Sequence, residues 1–578
     1  MDYRCYKLTE NLKRFYDSDV NWCCHLKIRV KILRMIVYFC YSFKSLMKKN
    51  LFQSMSLMAP VLLLSACSGT KEKATETKPL NIIHIMTDDH SFQTISAYGH
   101  ALGKLAPTPN IDRLAARGVL FRQAFVENSL STPSRACLMT GLYSHQNGQR
   151  QLGKGIDTTK VFFSEILQQH GYQTAVVGKW HMQCEPKGFD YYQVLWDQGE
   201  YYNPEFKSKE TNGEYVKREG YATKLTTDYA LEFLEKRDPN KPFCLLVHQK
   251  APHRNWMPEE KYLHLYEDVE FPLPETFDDD YATRCDAART QEMRIADHMT
   301  LVYDLKLNEL KDTSPYNKEW SSQALQSSLD RMNPQQRDAW ETAYKTRHED
   351  FKQKHPQGKD LAKWKYQQYL KDYLRCIKTV DDEVGRLLDY LEKNNLMENT
   401  VIVYTSDQGF YMGEHGWFDK RFMYEESFRT PLIISYPGKA KGIENTDLVQ
   451  NIDYAPTYLD IAGIENPEYM VGTSLVPLLD GKTPADWRKY LYYHYYDYPA
   501  IHMVRRHDGV RDKQYKLIHF YGDKDEHREA INCNELYDLQ ADPNEQNNLY
   551  GKAEYKDVQD RLQQQLDRFR QEQQVDEW

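Results

Sequence analysis

Apolar and polar positions along the chain follow a repeated design. Asn81-Ile-Ile-His-Ile-Met86 is a short apolar run that ends in Thr87-Asp88-Asp89. Thr174-Ala-Val-Val177 ends in Gly178-Lys179-Trp180-His181, and Phe243-Cys-Leu-Leu-Val247 leads to His248-Gln249-Lys250-Ala251-Pro252-His253. Val401-Ile-Val-Tyr404 ends in Thr405-Ser406-Asp407-Gln408-Gly409. Runs of this kind suit parallel strands covered on both faces. Helical spacing lies between them, as at Pro109–Arg117 and Val380–Lys393. Alternating strand and helix predicts an α/β fold. The charged side chains gather at the carboxyl ends of the runs, where open α/β sheets bind ligands.

Outside this frame the pattern changes. Residues 284–376 are highly charged with helical spacing, which predicts helices with a solvated face. From about residue 485, Tyr492–Tyr496, Tyr515–Phe520 and Glu535–Leu539 predict short strands of a small antiparallel sheet, and Val558–Gln574 predicts a closing helix. The expected organisation is a catalytic domain over 79–484 and a small sheet-and-helix subdomain over 485–578. Upstream, Met47-Lys48-Lys49, an apolar run through Leu63 and Leu64-Ser65-Ala66-Cys67 resemble a bacterial lipoprotein signal peptide over 47–67, with Cys67 as the lipidated residue. Its apolar region is too short to span a bilayer. Residues 68–78 read as a tether, and 1–46 as an extension from a mis-called start. Together these predict an exported, lipid-anchored protein, periplasmic or at the cell surface.

Composition adds exclusions. The net charge is −9, and no Lys/Arg-dominated block stands out in the body, which argues against a nucleic-acid partner. The 43 tyrosines and 10 tryptophans suit both core packing and sugar stacking. No pair among Cys137, Cys184, Cys244, Cys285, Cys376 and Cys533 has CxxC spacing, so neither a zinc ribbon nor a redox dithiol is indicated, and spacing specifies no disulfide.

The chemistry begins at Ser131-Thr132-Pro133-Ser134-Arg135, followed by Ala136-Cys137-Leu138-Met139-Thr140-Gly141. Proline fixes φ and opens helices at their first turn. Ser131 therefore falls at a helix N-terminus, where unpaired N–H groups favour negative charge, with Arg135 one turn on. Asp88, Asp89, Asp407 and Gln408 offer oxygen ligands without cysteine, a set that favours Ca²⁺ or Mg²⁺ over zinc.

The Ser131 string resembles the signature of the type I sulfatases, (Cys or Ser)-x-Pro-Ser-Arg ending in Thr-Gly, within the alkaline phosphatase superfamily. The resemblance covers residues 79–550. It implies an alkaline-phosphatase-like α/β/α sandwich and conversion of Ser131 to formylglycine by a maturation enzyme of the serine-type route. It also implies a calcium bound by Asp88, Asp89, Asp407 and Gln408 together with residue 131. Many members carry Asn where this chain has Gln408. The motifs Gly-Lys-Trp-His, Ala-Pro-His and Gly-Glu-His-Gly-Trp-Phe-Asp-Lys place Lys179, His181, His253 and Lys420 at the family's remaining catalytic positions. By resemblance Arg135 holds the formylglycine, His181 helps expel sulfate from it, and His253 protonates the departing oxygen.

Asp372–Asp381, Tyr404–Phe410 and Phe418–Ser427 look similar to bacterial N-acetylglucosamine-6-sulfatases, which implies removal of 6-O-sulfate from terminal N-acetylglucosamine of heparan-type chains, mucin or keratan. His415 and the cluster His494, His502, Arg505, Arg506 and His507 are candidate sugar contacts. The alternatives are another glycan O-sulfatase such as a uronate 2-O-sulfatase, a phosphomonoesterase or phosphonate hydrolase of the same superfamily, and a non-catalytic glycan-binding lipoprotein.

Overall fold

A computed structural model describes residues 79–310 and 318–578; the expected extension, signal peptide with Cys67, and tether lie outside the described residues. The four apolar runs form β1 (Asn81–Thr87), β2 (Gln173–Gly178), β3 (Phe243–His248) and β4 (Thr400–Ser406). They lie side by side in the order β4-β1-β3-β2, all parallel, within a ten-stranded sheet. Thr87 pairs with Ser406, Met86 with His248 and Gly178 with His248, so the four carboxyl ends stop at one level. β1 has β3 on one side and β4 on the other, which makes it the point where the strand order reverses and a crevice opens. The sheet is mixed, since Leu432–Ser435 runs antiparallel to β4 and Glu205–Ser208 antiparallel to Tyr191–Leu195.

Successive residues of a strand face opposite sides, and both sides are buried. Ile83, Ile85, Val177, Leu245 and Ile402 belong to one core; Ile82, Met86, Val176, Leu246 and Val401 belong to the other. The first is covered by α1 (Pro109–Ala116), by Ala222–Lys236 and by the long helix described below, and the second by α2 (Ser131–Thr140) and Tyr454–Ile461. This is the α/β/α sandwich expected from the sequence. The helix expected at Val380–Lys393 is the last part of α3 (Gly358–Lys393), 36 residues long. The charged block that precedes it is less solvated than its composition suggests. Tyr366, Tyr369 and Tyr373 of α3 are fully buried, and Arg347, Lys306 and Arg375 converge on the buried Asp372.

The C-terminal sheet is β5 (Leu491–Tyr495), β6 (His507–Arg511), β7 (Tyr515–Gly522) and β8 (Ile531–Asp538), antiparallel in that order, closed by α4 (Lys556–Glu572). β6 has no apolar alternation. It is held by its neighbours and by Asp508, which pairs with Arg570 of α4 through two bonds of 2.7 and 2.8 Å. Tyr493, Tyr495 and Phe520 of this sheet share a core with Tyr411, Phe422 and Phe428. A disulfide joins Cys285 to Cys533 across 248 positions of sequence.

Candidate active site

The start of α2 meets the ends of the parallel strands. Leu130 is extended and Ser131 opens the helix, whose residues are all buried. The Ser131 hydroxyl donates to Asp88 Oδ1 at 3.1 Å. One turn on, Arg135 donates through Nε and one terminal nitrogen to Asp407 Oδ2, at 3.2 and 3.0 Å, and through the other to the Lys179 carbonyl at 2.8 Å. One side chain thus ties the helix to the ends of β4 and β2.

Lys179 reaches Asp88 and Gln198 with its ammonium. Its position depends on Gly178, whose φ of +91° suits glycine and whose missing Cβ would lie 2.0 Å from the His248 carbonyl oxygen. His181 sits with Nδ1 3.3 Å from the Thr132 hydroxyl and Nε2 3.4 Å from Asp197. Lys420 donates to both Asp89 oxygens at 2.6 and 2.7 Å. His253 places Nε2 3.8 Å from Asp89, while its Nδ1 lies 2.6 Å from the Arg254 carbonyl. Asp88, Asp89 and His253 each bring one ligand atom to within 4.8 Å of the others.

Three carboxylates and three cations therefore share a space almost closed to water. Burial penalises Asp88, yet Lys179 and Arg135 hold it well below the usual carboxylate range. Burial pushes Asp89 up to about 7 despite Lys420, with Asp88 and Asp407 adding to the rise. Burial also draws Lys179 down to about 8 against the pull of Asp88. Adjacent buried carboxylates of this kind repel one another, and a cation between them would relieve that repulsion.

Gln408 supports the same conclusion. Its amide nitrogen donates to Asp407 Oδ1 at 2.7 Å and to Asp89, while its buried amide oxygen has no partner. The two ends of an amide are interchangeable by rotation. Turned over, the oxygen would join the carboxylates, an arrangement that a cation between them would favour. The oxygen set of Asp88, Asp89, Asp407 and Gln408 thus fits a hard divalent ion.

The structure brings Ser131, Arg135, Lys179, His181, His253, Lys420, Asp88, Asp89, Asp407 and Gln408 together. The sugar-contact candidates divide. His502 adjoins the cluster, with Nε2 3.4 Å from Asp419 and 3.5 Å from Arg254. His494 does not: it is fully buried between the hydroxyls of Tyr492 and Tyr521, at 2.8 and 2.7 Å. His507 spends its nitrogens on the Arg505 carbonyl and the Met423 N–H. Arg505 donates to the Tyr498 hydroxyl and the Gly522 carbonyl, and Arg506 to the carbonyls of Tyr496 and Tyr498. His415 is buried against Asp279 at 2.8 Å and Arg284 at 2.9 Å. All five are occupied within the fold, His494 and His507 as members of strands and the other three in turns and loops. The sequence reading passed over Asp197, Gln198, Asp419 and Lys250. Two of these stood beside named motif residues, Asp419 next to Lys420 and Lys250 three before His253.

A hydroxyl at a buried helix start, beside an oxygen cage and several cations at the reversal point of an α/β sheet, defines a metal-assisted hydrolase of anionic esters. Comparison with known proteins narrows the class. The family profile described as Sulfatase matches residues 80–464, and one described as N-sulphoglucosamine sulphohydrolase, C-terminal, matches residues 413–572. The chain belongs to the sulfatase family and is a sulfuric ester hydrolase. It is 48% identical over 533 residues to the N-acetylglucosamine-6-O-sulfatase of Bacteroides thetaiotaomicron, covering 90% of this chain and 91% of that one. It is 26% identical to the N-acetylglucosamine-6-sulfatase of Homo sapiens, over 74% of this chain and 69% of that one. A solved structure described as in complex with its substrate D-glucosamine-2-N,6-O-disulfate matches with a TM-score of 0.81 and 47% identity, covering 86% of this chain and 99% of that one.

Proposed function

We propose that this sulfatase removes the 6-O-sulfate from terminal glucosamine residues, N-acetylated or N-sulfated, of sulfated glycans. The observation that carries the reading is the 48% identity to an N-acetylglucosamine-6-O-sulfatase across nine-tenths of the chain. Asp88, Asp89, Asp407 and Gln408 would hold calcium, and residue 131 would be oxidised to formylglycine by a maturation enzyme. When present, the ion supplies charge neutralisation for the sulfuryl oxygens and the hydrated aldehyde supplies the attacking oxygen.

The remaining work belongs to the chain's own side chains. Arg135 fixes the start of α2 and neutralises charge beside residue 131. Lys179 and Lys420 bring positive charge to the sulfuryl oxygens. His253, with 17% of its side chain exposed, is the member of the cluster facing the opening, and its Nε2 delivers a proton to the departing sugar oxygen. Burial together with Lys179 and Lys420 disfavours the imidazolium, against the pull of Asp88, and the charge of the bound sulfate ester favours it, so that His253 takes up a proton from solvent as the anionic substrate binds. His181 takes a proton from residue 131, with Asp197 behind it. Asp419, His502 and Arg254 meet beside Lys420 and His253 and are placed to hold sugar hydroxyls.

The test is a desulfation screen on defined sugars. Sulfate release from 6-O-sulfated N-acetylglucosamine, exceeding release from a uronate 2-O-sulfate, is expected. Faster turnover of a phosphate monoester would reject the reading. The same proposal places the protein outside the cytoplasm, anchored through lipid on Cys67; the Cys285–Cys533 disulfide suits an oxidising compartment. Cys67→Ala is expected to move the protein from the membrane fraction to the soluble one, and retention in the membrane would refute the anchor.

A further inference from the structure

Lys250 follows β3 by two residues and precedes His253 by three. It is 4% exposed, yet among the described residues its ammonium has no oxygen partner within hydrogen-bond or ion-pair distance. No other buried lysine in the described structure is like this. Lys306 pairs with Asp372, Lys516 with Glu425 and Glu545, Lys365 donates to two carbonyls, and Lys179 and Lys420 hold Asp88 and Asp89. An ammonium enclosed without an oxygen partner keeps its N–H donors available to a ligand.

Its surroundings say where it acts. The ammonium lies 4.7 Å from the centre of the Tyr201 ring, and the Tyr201 hydroxyl donates to the His253 carbonyl at 2.6 Å. One tyrosine thus supports both Lys250 and His253. Lys179 and Lys420 also lie near His253, but each is tied to a carboxylate, Lys179 to Asp88 and Lys420 to Asp89. Lys250 is the lysine near the proton donor whose ammonium is not tied to a carboxylate.

We propose that Lys250 is a further catalytic residue, which contacts the departing sugar oxygen and neutralises the negative charge that develops on it. As the S–O bond to the sugar breaks, its electron pair passes to the sugar oxygen and the new S–O bond forms from residue 131. His253 Nε2 supplies the proton, and Lys250 holds the charge that has accumulated before that proton is fully transferred. The proposal rests on the reading of His253 as the acid.

The test exploits leaving groups of different basicity. Lys250→Met is assayed on a 6-O-sulfated N-acetylglucosamine and on 4-nitrophenyl sulfate, whose phenolate needs little help to depart. Turnover of the sugar is expected to fall by about a hundredfold, and that of the aryl ester by less than about threefold. Lys250→Arg should recover part of the sugar activity. In single turnover with enzyme in excess, Lys250→Met should slow appearance of free sugar without weakening its binding, while bound metal stays at the parent value and the melting temperature does not fall. Equal losses on both esters, a loss confined to binding, or no loss would overturn the proposal. His253→Ala run in parallel separates the two ideas. If it spares the sugar reaction, the acid is misassigned; if it abolishes that reaction while Lys250→Met does not, Lys250 alone is misassigned.

Discussion

At the scale of single residues, the site is a problem of charge placement. Asp88, Asp89 and Asp407 are each 1% exposed or less and lie in mutual contact or share partners. Lys179, Lys420 and Arg135 bring the charge that keeps them tolerable without an ion. Asp407 has two tasks: it accepts from Arg135 and belongs to the oxygen cage. Asp407→Ala should therefore lower bound divalent metal and sulfatase activity together, with activity down by at least about a hundredfold. Metal analysis beside an activity assay checks this, and a variant that keeps full activity removes Asp407 from the cage. Asp197→Asn should slow turnover by about tenfold with KM nearly unchanged, because it acts on His181 and not on the sugar; a change in KM alone would contradict that placement.

At the scale of elements, the strand ends carry the function, and they were the most legible part of the sequence. A run such as Phe243–Val247 has no alternation, so it reads as a strand buried on both faces, and the polar residues after it then fall at the sheet's carboxyl edge. β6 was not legible. His507-Asp-Gly-Val-Arg511 looks like loop, and it becomes a strand only because β5 and β7 flank it and Arg570 neutralises Asp508. The same blindness turned His494 and His507 into apparent sugar contacts. The Cys285–Cys533 link joins distant segments that no spacing rule connects. That link also supports the site. The segment after Cys285 bonds through Met293 and Ile295 to Phe418 and Gly416, beside Asp419 and Lys420. Replacing both cysteines by serine should cost about 2–5 kcal/mol of stability and raise KM more than it lowers kcat. Chemical denaturation and steady-state kinetics test this, and an unchanged KM would detach the disulfide from the sugar side. Gly178→Ala should cost at least about 2 kcal/mol and displace Lys179, since its Cβ would meet the His248 carbonyl at 2.0 Å.

At the scale of the whole molecule, stability and catalysis both depend on groups held in one protonation state. Burial pushes His84 down to about 3, with Arg135 adding, and His415 to about 4, with Arg284 adding; burial alone takes His507 to about 4. Unfolded histidine titrates near about 6.5. Below that pH the unfolded chain binds protons that these native imidazoles refuse, so stability is lost as pH falls from 6.5 toward 4. Each group contributes up to about 1.4 kcal/mol per pH unit. Melting temperature should therefore drop steeply between pH 6.5 and pH 5, and a flat profile would contradict the buried, neutral placement. The fold brings loops from four strands and one helix start around residue 131, whose oxidation the proposed mechanism requires. Mass spectrometry of the peptide containing Ser131, from active protein made in its own host, tests this most directly. The account predicts an aldehyde at that position, two hydrogens lighter than serine; unmodified serine in a fully active sample would contradict it.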